Sequence, residues 1–254
     1  MSLLQVEGVT VEFGGLRALD SVSMSVPSGR VTALIGPNGA GKTTLLNVVS
    51  GVLRPRSGRV RFAGRDITGW PPHRAAALGI ARTFQNLQLF GDMTVREHLL
   101  VGRYRLTRTS VPEAVLRLPR HHREEREGRR ASDALLARLG LQDVADWPAT
   151  SLPYGRQRLV EMGRALAGEP SLLLLDEPTA GLSGPEAEEV GRLLRALAAE
   201  GLAVLLVEHH MDLVMAYSDW VVVLDHGVVI AQGPPEQVQA DPQVIEAYLG
   251  EEAA

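Results

Sequence analysis

Cysteine is absent from the 254 residues, which excludes disulfides and thiolate metal sites while identifying no compartment. Lysine is all but absent: Lys42 stands alone against twenty-five arginines. Long apolar runs are missing as well. The apolar runs present, such as Leu172 to Leu175, Ala203 to Val207 and Val221 to Leu224, fall far short of the roughly 20 residues that a membrane-spanning helix needs. The opening MSLLQVEGV shows no charged stretch leading into an apolar one, so no secretory signal is expected and the chain is expected to stay in the cytoplasm. A net charge of -4 gives no general attraction to phosphate backbones, and no nucleic-acid partner is expected.

What is present is enough apolar material, 45% of the residues, to fill the core of one or two domains. The lone lysine sits in Gly36 to Thr44, GPNGAGKTT, which matches the phosphate-loop pattern G-x-x-x-x-G-K-[ST]. A compact ammonium on a flexible stem can follow a phosphate into a tight backbone loop, where a planar guanidinium cannot. Val31 to Ile35 before the loop reads as a buried strand, and Thr44 to Val52 after it as a helix stopped by Gly51 and Pro55. In that context the backbone of Gly36, Pro37, Asn38, Gly39, Ala40 and Gly41 would cradle phosphates with Thr44. Lys42 would reach the β- and γ-phosphates, and the Thr43 hydroxyl would serve Mg²⁺, which prefers oxygen ligands.

Leu172 to Glu177, LLLLDE, is four aliphatics ending in two carboxylates, so the acids leave the core where α/β sheets place ligands. Asp176 is expected near Mg²⁺ through water, and Glu177 to polarise an attacking water. Segments 1–30 and 58–67 alternate like an antiparallel layer. Residues 87–168 turn Arg- and Leu-rich with helical spacing and read as an inserted helical subdomain, leaving 1–86 and 169–254 as the nucleotide-binding core. Within the insert, Arg117 to Arg130 mixes both signs, as a solvated helix face or mobile insert does, with contact to nucleic acid or acidic lipid as the alternative. The last third returns to strand and helix alternation, which argues a mostly parallel sheet. Ser183 and Glu186 form a capping box there, with Pro185 in the first turn.

The order of these motifs over essentially the whole length resembles the nucleotide-binding subunit of an ATP-binding cassette transporter. The resemblance implies a phosphate-loop NTPase core with a mostly parallel sheet, an antiparallel β layer and the helical insertion. It implies that Phe13 in VEFGGLRAL stacks on adenine, and that Gln85 in ARTFQNLQLF reaches Mg²⁺ or the attacking water. It also implies that His209 in LLVEHHMD contacts the γ-phosphate, with His210 a passive neighbour. LPYGRQ at 152–157 occupies the family's LSGGQ signature, so Tyr154, Gly155 and Arg156 would face the nucleotide of a second ATPase subunit. Pro153 there removes a hydroxyl and an N–H, Arg156 replaces glutamine, and Ser183 stands where the family usually has aspartate. The family mechanism sandwiches two ATP molecules between two subunits, as a homodimer or heterodimer.

ARTFQNLQLFGDMTV, LPYGRQR, VEHHMDLVM and PQVIEAYLGE are similar to the importer branch for branched-chain and other hydrophobic amino acids. That branch implies integral membrane permease partners, an indirect link to a periplasmic solute-binding protein, and a peripheral position on the cytoplasmic face of the inner membrane. Leu87, Leu89, Phe90 and Met93 are the expected docking surface, or else core of the insert. The alternatives are a cassette ATPase for urea or short amides, an exporter, and a soluble cassette ATPase acting on ribosomes or DNA. A small-molecule kinase or GTPase switch would share only the phosphate loop.

Overall fold

Apolar runs bounded by glycine or charge become the strands of two sheets in the computed structural model, which describes residues 2–85, 87–116 and 118–252. Asn86 of the glutamine segment and Arg117 of the mixed-charge stretch lie outside the described residues. In chain order the strands are β1 (Ser2–Phe13), β2 (Leu16–Pro27), β3 (Val31–Ile35), β4 (Ser57–Phe62), β5 (Arg65–Asp66) and β6 (Ile80–Arg82). They continue with β7 (Leu172–Asp176), β8 (Ala203–Val207), β9 (Trp220–Asp225) and β10 (Val228–Gly233). The chain divides into two compact units, residues 1–82 with 171–254, and residues 83–170.

The first unit holds both sheets. Strands β2-β1-β4-β5 make an antiparallel four-stranded layer, and β10-β9-β3-β8-β7-β6 make a six-stranded sheet. In the latter only β10 runs antiparallel to its neighbour. All residues of β3, β7 and β8 are buried, which is why these strands read as mostly apolar runs, with Thr32 the polar residue inside β3: a parallel sheet is covered on both faces. Each such aliphatic side chain contributes about 1.5–3 kcal/mol by leaving water. One core joins the antiparallel layer to the helix Lys42–Val49 and includes Leu4, Val9, Leu45, Leu46 and Leu174. On the other face Ile35, Val214, Val221 and Val223 pack together with Val238 and Val244.

The helix after β7 runs Gly184–Ala199, and the Glu186 carboxylate accepts both the Ser183 N–H (2.9 Å) and the Ser183 hydroxyl (2.5 Å). Capping is therefore what Ser183 does in this chain. Three departures from the sequence expectation have local causes. The first helix starts at Lys42, two residues early, because Gly41 takes the left-handed conformation (φ 103°) that starts it. Strands β6 and β10 were not foreseen: β6 is three residues long, and β10 is a hairpin partner of β9 with mostly half-buried side chains.

The second unit is helical among its described residues, with helices Val95–Gly102, Val111–Val115, Pro119–Arg138 and Tyr154–Ala167. In Pro119–Arg138 the pairs Arg120–Glu124 and Arg123–Glu127 sit one turn apart on an exposed face, the solvated arrangement expected of mixed charge. No helix among the described residues is long and apolar enough to cross a membrane. Its loop 90–94 is held by His98, which is fully buried: Nε2 accepts the Phe90 N–H at 2.9 Å and Nδ1–H donates to the Thr94 carbonyl at 2.8 Å.

Burial pushes the His98 imidazole below its ordinary range. The unfolded chain therefore takes up the proton first, so this stabilisation is complete above about pH 6.5 and is lost as pH falls toward the folded value. We predict a His98-dependent decline in stability on acidification, with a slope of at most about 1.4 kcal/mol per pH unit. Urea unfolding as a function of pH checks it: His98→Gln should flatten that slope, and an unchanged slope would refute the assignment.

Candidate functional site

At the end of β3 the backbone turns sharply, and glycine is required there by contact as well as by conformation. A Cβ on Gly36 (φ 145°) would lie 1.9 Å from the Leu224 carbonyl oxygen, and one on Gly41 would lie 2.5 Å from the Ala18 carbonyl oxygen. The loop they frame ends on the helix Lys42–Val49, whose start carries no side-chain cap. Its first-turn N–H groups and dipole are thus oriented to receive an anion. Pro37 is half-buried, Asn38 and Gly39 are exposed and Ala40 is buried; Thr43 is exposed and Thr44 half-buried. The Lys42 side chain, 7% exposed, donates to the Gly36 carbonyl at 2.6 Å and to the Pro37 carbonyl at 2.8 Å. Its ammonium is therefore held at the loop's own backbone.

Asp176 ends β7 with only 3% of its side chain exposed. Burial raises its carboxyl above the ordinary range, and the negative neighbour Glu177 adds to this; the Arg82 guanidinium and the Lys42 ammonium oppose it. Arg82 was not singled out in the sequence. Its Nη2 lies 3.4 Å from Asp176 Oδ2, and its Nη1 donates to Asn47 Oδ1 (2.7 Å) and Ser50 Oγ (3.0 Å) of the phosphate-loop helix. Burial lowers the guanidinium's own pKa, and Asp176 offsets that. One buried cation thus ties the end of β6 to both the acid and the helix behind the loop. The only sequence signal for it is an arginine placed in an otherwise apolar three-residue strand.

Glu177 follows in the left-handed backbone region (φ 50°), a conformation that costs a non-glycine residue about 1–3 kcal/mol. The result is that its carboxylate turns toward the loop after β8, where His209 Nε2 lies 2.7 Å from Glu177 Oε1. The structure brings these two sequence-assigned residues together across 32 positions of chain. Next to His209, His210 Nδ1 lies 3.0 Å from Thr179 Oγ1 and 3.7 Å from Glu208 Oε2. The sequence gave no sign that Thr179 and Glu208 are buried beside it. Phe13 closes β1 opposite Leu16 and is 52% exposed, so it is no core residue.

Gln85 and the signature-like segment belong to the second unit. The backbone carbonyls of Phe84 and Gln85 accept from Arg158 at 3.2 and 2.6 Å, and the Arg158 guanidinium lies 5.5 Å above the Tyr154 ring. Pro153 is the residue preceding the helix Tyr154–Ala167, so its missing N–H interrupts no helical bond. Gly155 is half-buried in the first turn. Arg156 pairs with Asp143 at 2.9 Å, and that bond holds the Asp143 carboxyl below its usual range. Phe90 is 49% exposed under Arg164, whose guanidinium lies 5.6 Å from the ring. Leu87, Leu89 and Met93 are half-buried.

Residues 19–180 match the model of the ABC transporter family, and residues 228–254 match that of the branched-chain amino acid ATP-binding cassette transporter. The chain is similar to the high-affinity branched-chain amino acid transport ATP-binding protein BraF of Pseudomonas aeruginosa, with 42% identity over 98% of both chains. It is also similar to the probable branched-chain amino acid transport ATP-binding protein LivG of Methanocaldococcus jannaschii, at 39% identity over 99% of this chain and 98% of that one. A solved ADP conformation of an ATP-binding cassette of an ABC transporter superposes with a TM-score of 0.86 at 38% identity, covering 99% of this chain and all of that one. A nucleotide-free cassette gives 0.85 at 37% identity, covering 98% of this chain and 99% of that one.

Removing one member of a buried ion pair strands the other charge, at a cost of about 3–5 kcal/mol. We predict that loss for Arg82→Met in urea unfolding at neutral pH, shrinking in acid where Asp176 protonates and needs no counter-charge. Equal stability of variant and parent at neutral pH would refute it.

Proposed function

We propose, for a chain that belongs to the ATP-binding cassette transporter family, that it powers an importer of branched-chain and other hydrophobic amino acids. The chain is an ATP-binding and ATP-hydrolysing transporter subunit. What carries the choice of solute is similarity along the whole length, from the antiparallel layer to the last helix, to proteins named for branched-chain amino acid transport.

In this reading the first unit is the nucleotide-binding core and residues 83–170 are the helical subdomain. The backbone of Gly36 to Gly41, with Thr44, cradles the phosphates, and Phe13 stacks on adenine from its exposed position. Lys42 exchanges its bonds to the Gly36 and Pro37 carbonyls for phosphate oxygens. Thr43 and Asp176 offer the oxygen donors that Mg²⁺ prefers, with Gln85 as a further oxygen ligand; held there, the ion would offset phosphate charge. Glu177, oriented by His209 at 2.7 Å, accepts hydrogen bonding from the attacking water and places it in line. His209 itself contacts the γ-phosphate. Phosphoryl transfer to water asks mainly for positioning and charge stabilisation, and this set supplies both.

Tyr154, Gly155 and Arg156 then meet the nucleotide of a second ATPase subunit, so that ATP cross-links two subunits. The motion passes to integral membrane permeases through the surface around Leu87, Leu89, Phe90 and Met93, on the cytoplasmic face of the inner membrane. A periplasmic solute-binding protein acts on the same assembly indirectly.

Glu177→Gln should bind ATP with near-parental affinity, hydrolyse it at least about 100-fold more slowly and accumulate as a nucleotide-bound dimer. Nucleotide binding, phosphate release and light scattering check the three parts, and rapid hydrolysis by this variant would refute the role given to Glu177. For the solute, the test is co-purification with permease subunits and stimulation of ATPase activity by leucine, isoleucine or valine in proteoliposomes. Stimulation by urea or short amides instead would reassign it.

A further inference from the structure

Among the described residues two buried carboxylates, Glu161 and Glu208, have no task in the proposed scheme, and Glu208 lies beside its catalytic residues. Glu208 directly follows β8 and directly precedes His209, and its side chain is 2% exposed. Oε1 accepts the Thr179 N–H at 3.0 Å and the Thr179 hydroxyl at 2.6 Å, while Oε2 accepts the His209 N–H at 3.1 Å. The Thr179 hydroxyl has one proton and gives it to Glu208, so at 3.0 Å it accepts from His210 Nδ1–H. One residue back, the Glu177 N–H donates to the Val207 carbonyl at 2.9 Å. The loops after β7 and β8 are thus laced twice, once through backbone and once through this carboxylate. Thr179 is fully buried, and its carbonyl accepts the Leu182 N–H at 3.0 Å, which carries the lacing on toward Ser183.

We propose that Glu208 is a positioning residue for ATP hydrolysis: with Thr179 it fixes the His209 backbone so that the imidazole meets Glu177. The inference rests on the roles given above to Glu177 and His209. A buried carboxylate that accepts three hydrogen bonds is costly to disturb, because each donor left behind would stay buried and unmatched. It also gives the two loops a single shared anchor. A displacement of the 179–183 segment reaches His209 through two hydrogen bonds.

The test uses the full chain with Mg²⁺ and ATP. Thr179→Val removes the hydroxyl at nearly constant volume, Thr179→Ser keeps it, and Glu208→Gln keeps size while removing charge; His209→Ala is measured alone and combined with Glu208→Gln. Misplacement of a catalytic group by an ångström can cost about 100-fold, so kcat should fall about 10- to 100-fold in Thr179→Val and Glu208→Gln. The KM for ATP and the affinity for a fluorescent ATP analogue should stay within about twofold, since only an interaction made in the transition state is lost. Thr179→Ser should restore kcat to within about threefold, and Glu208→Gln should add almost nothing in the His209→Ala background, as expected of residues acting as one unit.

Unchanged kcat in Thr179→Val and Glu208→Gln would overturn the inference. So would a parallel fall of kcat, nucleotide affinity and thermal midpoint, which marks a purely structural role. If His209→Ala hydrolyses at the parental rate, the reading of the site fails and this inference with it. If His209→Ala is inactive while Glu208→Gln and Thr179→Val are not, only this inference fails.

Discussion

A carboxylate stands at the buried end of a parallel strand, and the positive charge that faces it comes from a buried arginine and the single lysine. Asp176 is driven toward protonation by burial and by Glu177 next to it, and Arg82 and Lys42 supply the opposing positive charge. Because Arg82 also reaches Asn47 and Ser50, the counter-charge doubles as a brace between the strand that ends in the acid and the helix that begins with the phosphate loop. A buried ion pair is weak evidence for net stability. Here it has a geometric consequence: the acid and the loop cannot shift independently.

The sheet core, the phosphate loop and the capped helix after β7 were legible in the sequence because each is local. Apolar runs bounded by glycine mark parallel strands, and Ser183 with Glu186 marks a helix start. The acid pair at 176–177 was legible because a hydrophobic run that ends in charge has only one way to leave a core. What stayed hidden is non-local. Nothing in VEHH says that Glu208 is buried, since Thr179, which satisfies one of its oxygens, sits 29 positions earlier in the chain. His98 gave no signal either: its partners, though only four and eight residues earlier, are backbone groups of a loop whose path no periodicity describes. β6 was too short to register, and Arg82 looked like one arginine among many.

The signature-like segment illustrates a substitution whose local cost is small. Proline before the helix Tyr154–Ala167 removes no helical hydrogen bond, and the helix keeps its dipole. The arginine that replaces glutamine has a partner within its own unit, Asp143, on a surface where such pairs are worth at most about 1 kcal/mol. That guanidinium can leave its partner at little expense. Arg158, by contrast, is buried and bonded to the Phe84 and Gln85 carbonyls, so with Arg164 over Phe90 it joins the signature helix to the glutamine segment.

The solitary lysine makes the chain its own reporter. Every other side-chain cation is an arginine, so a mild amine-directed acylating reagent meets just one ε-amino group besides the chain's α-amino terminus. That group is sheltered and tethered to two carbonyls of the loop, and whatever alters the tether alters its reactivity. Labelling chemistry that would be hopelessly scattered on an ordinary protein surface is confined in this one to the α-amino terminus and the loop at the end of β3.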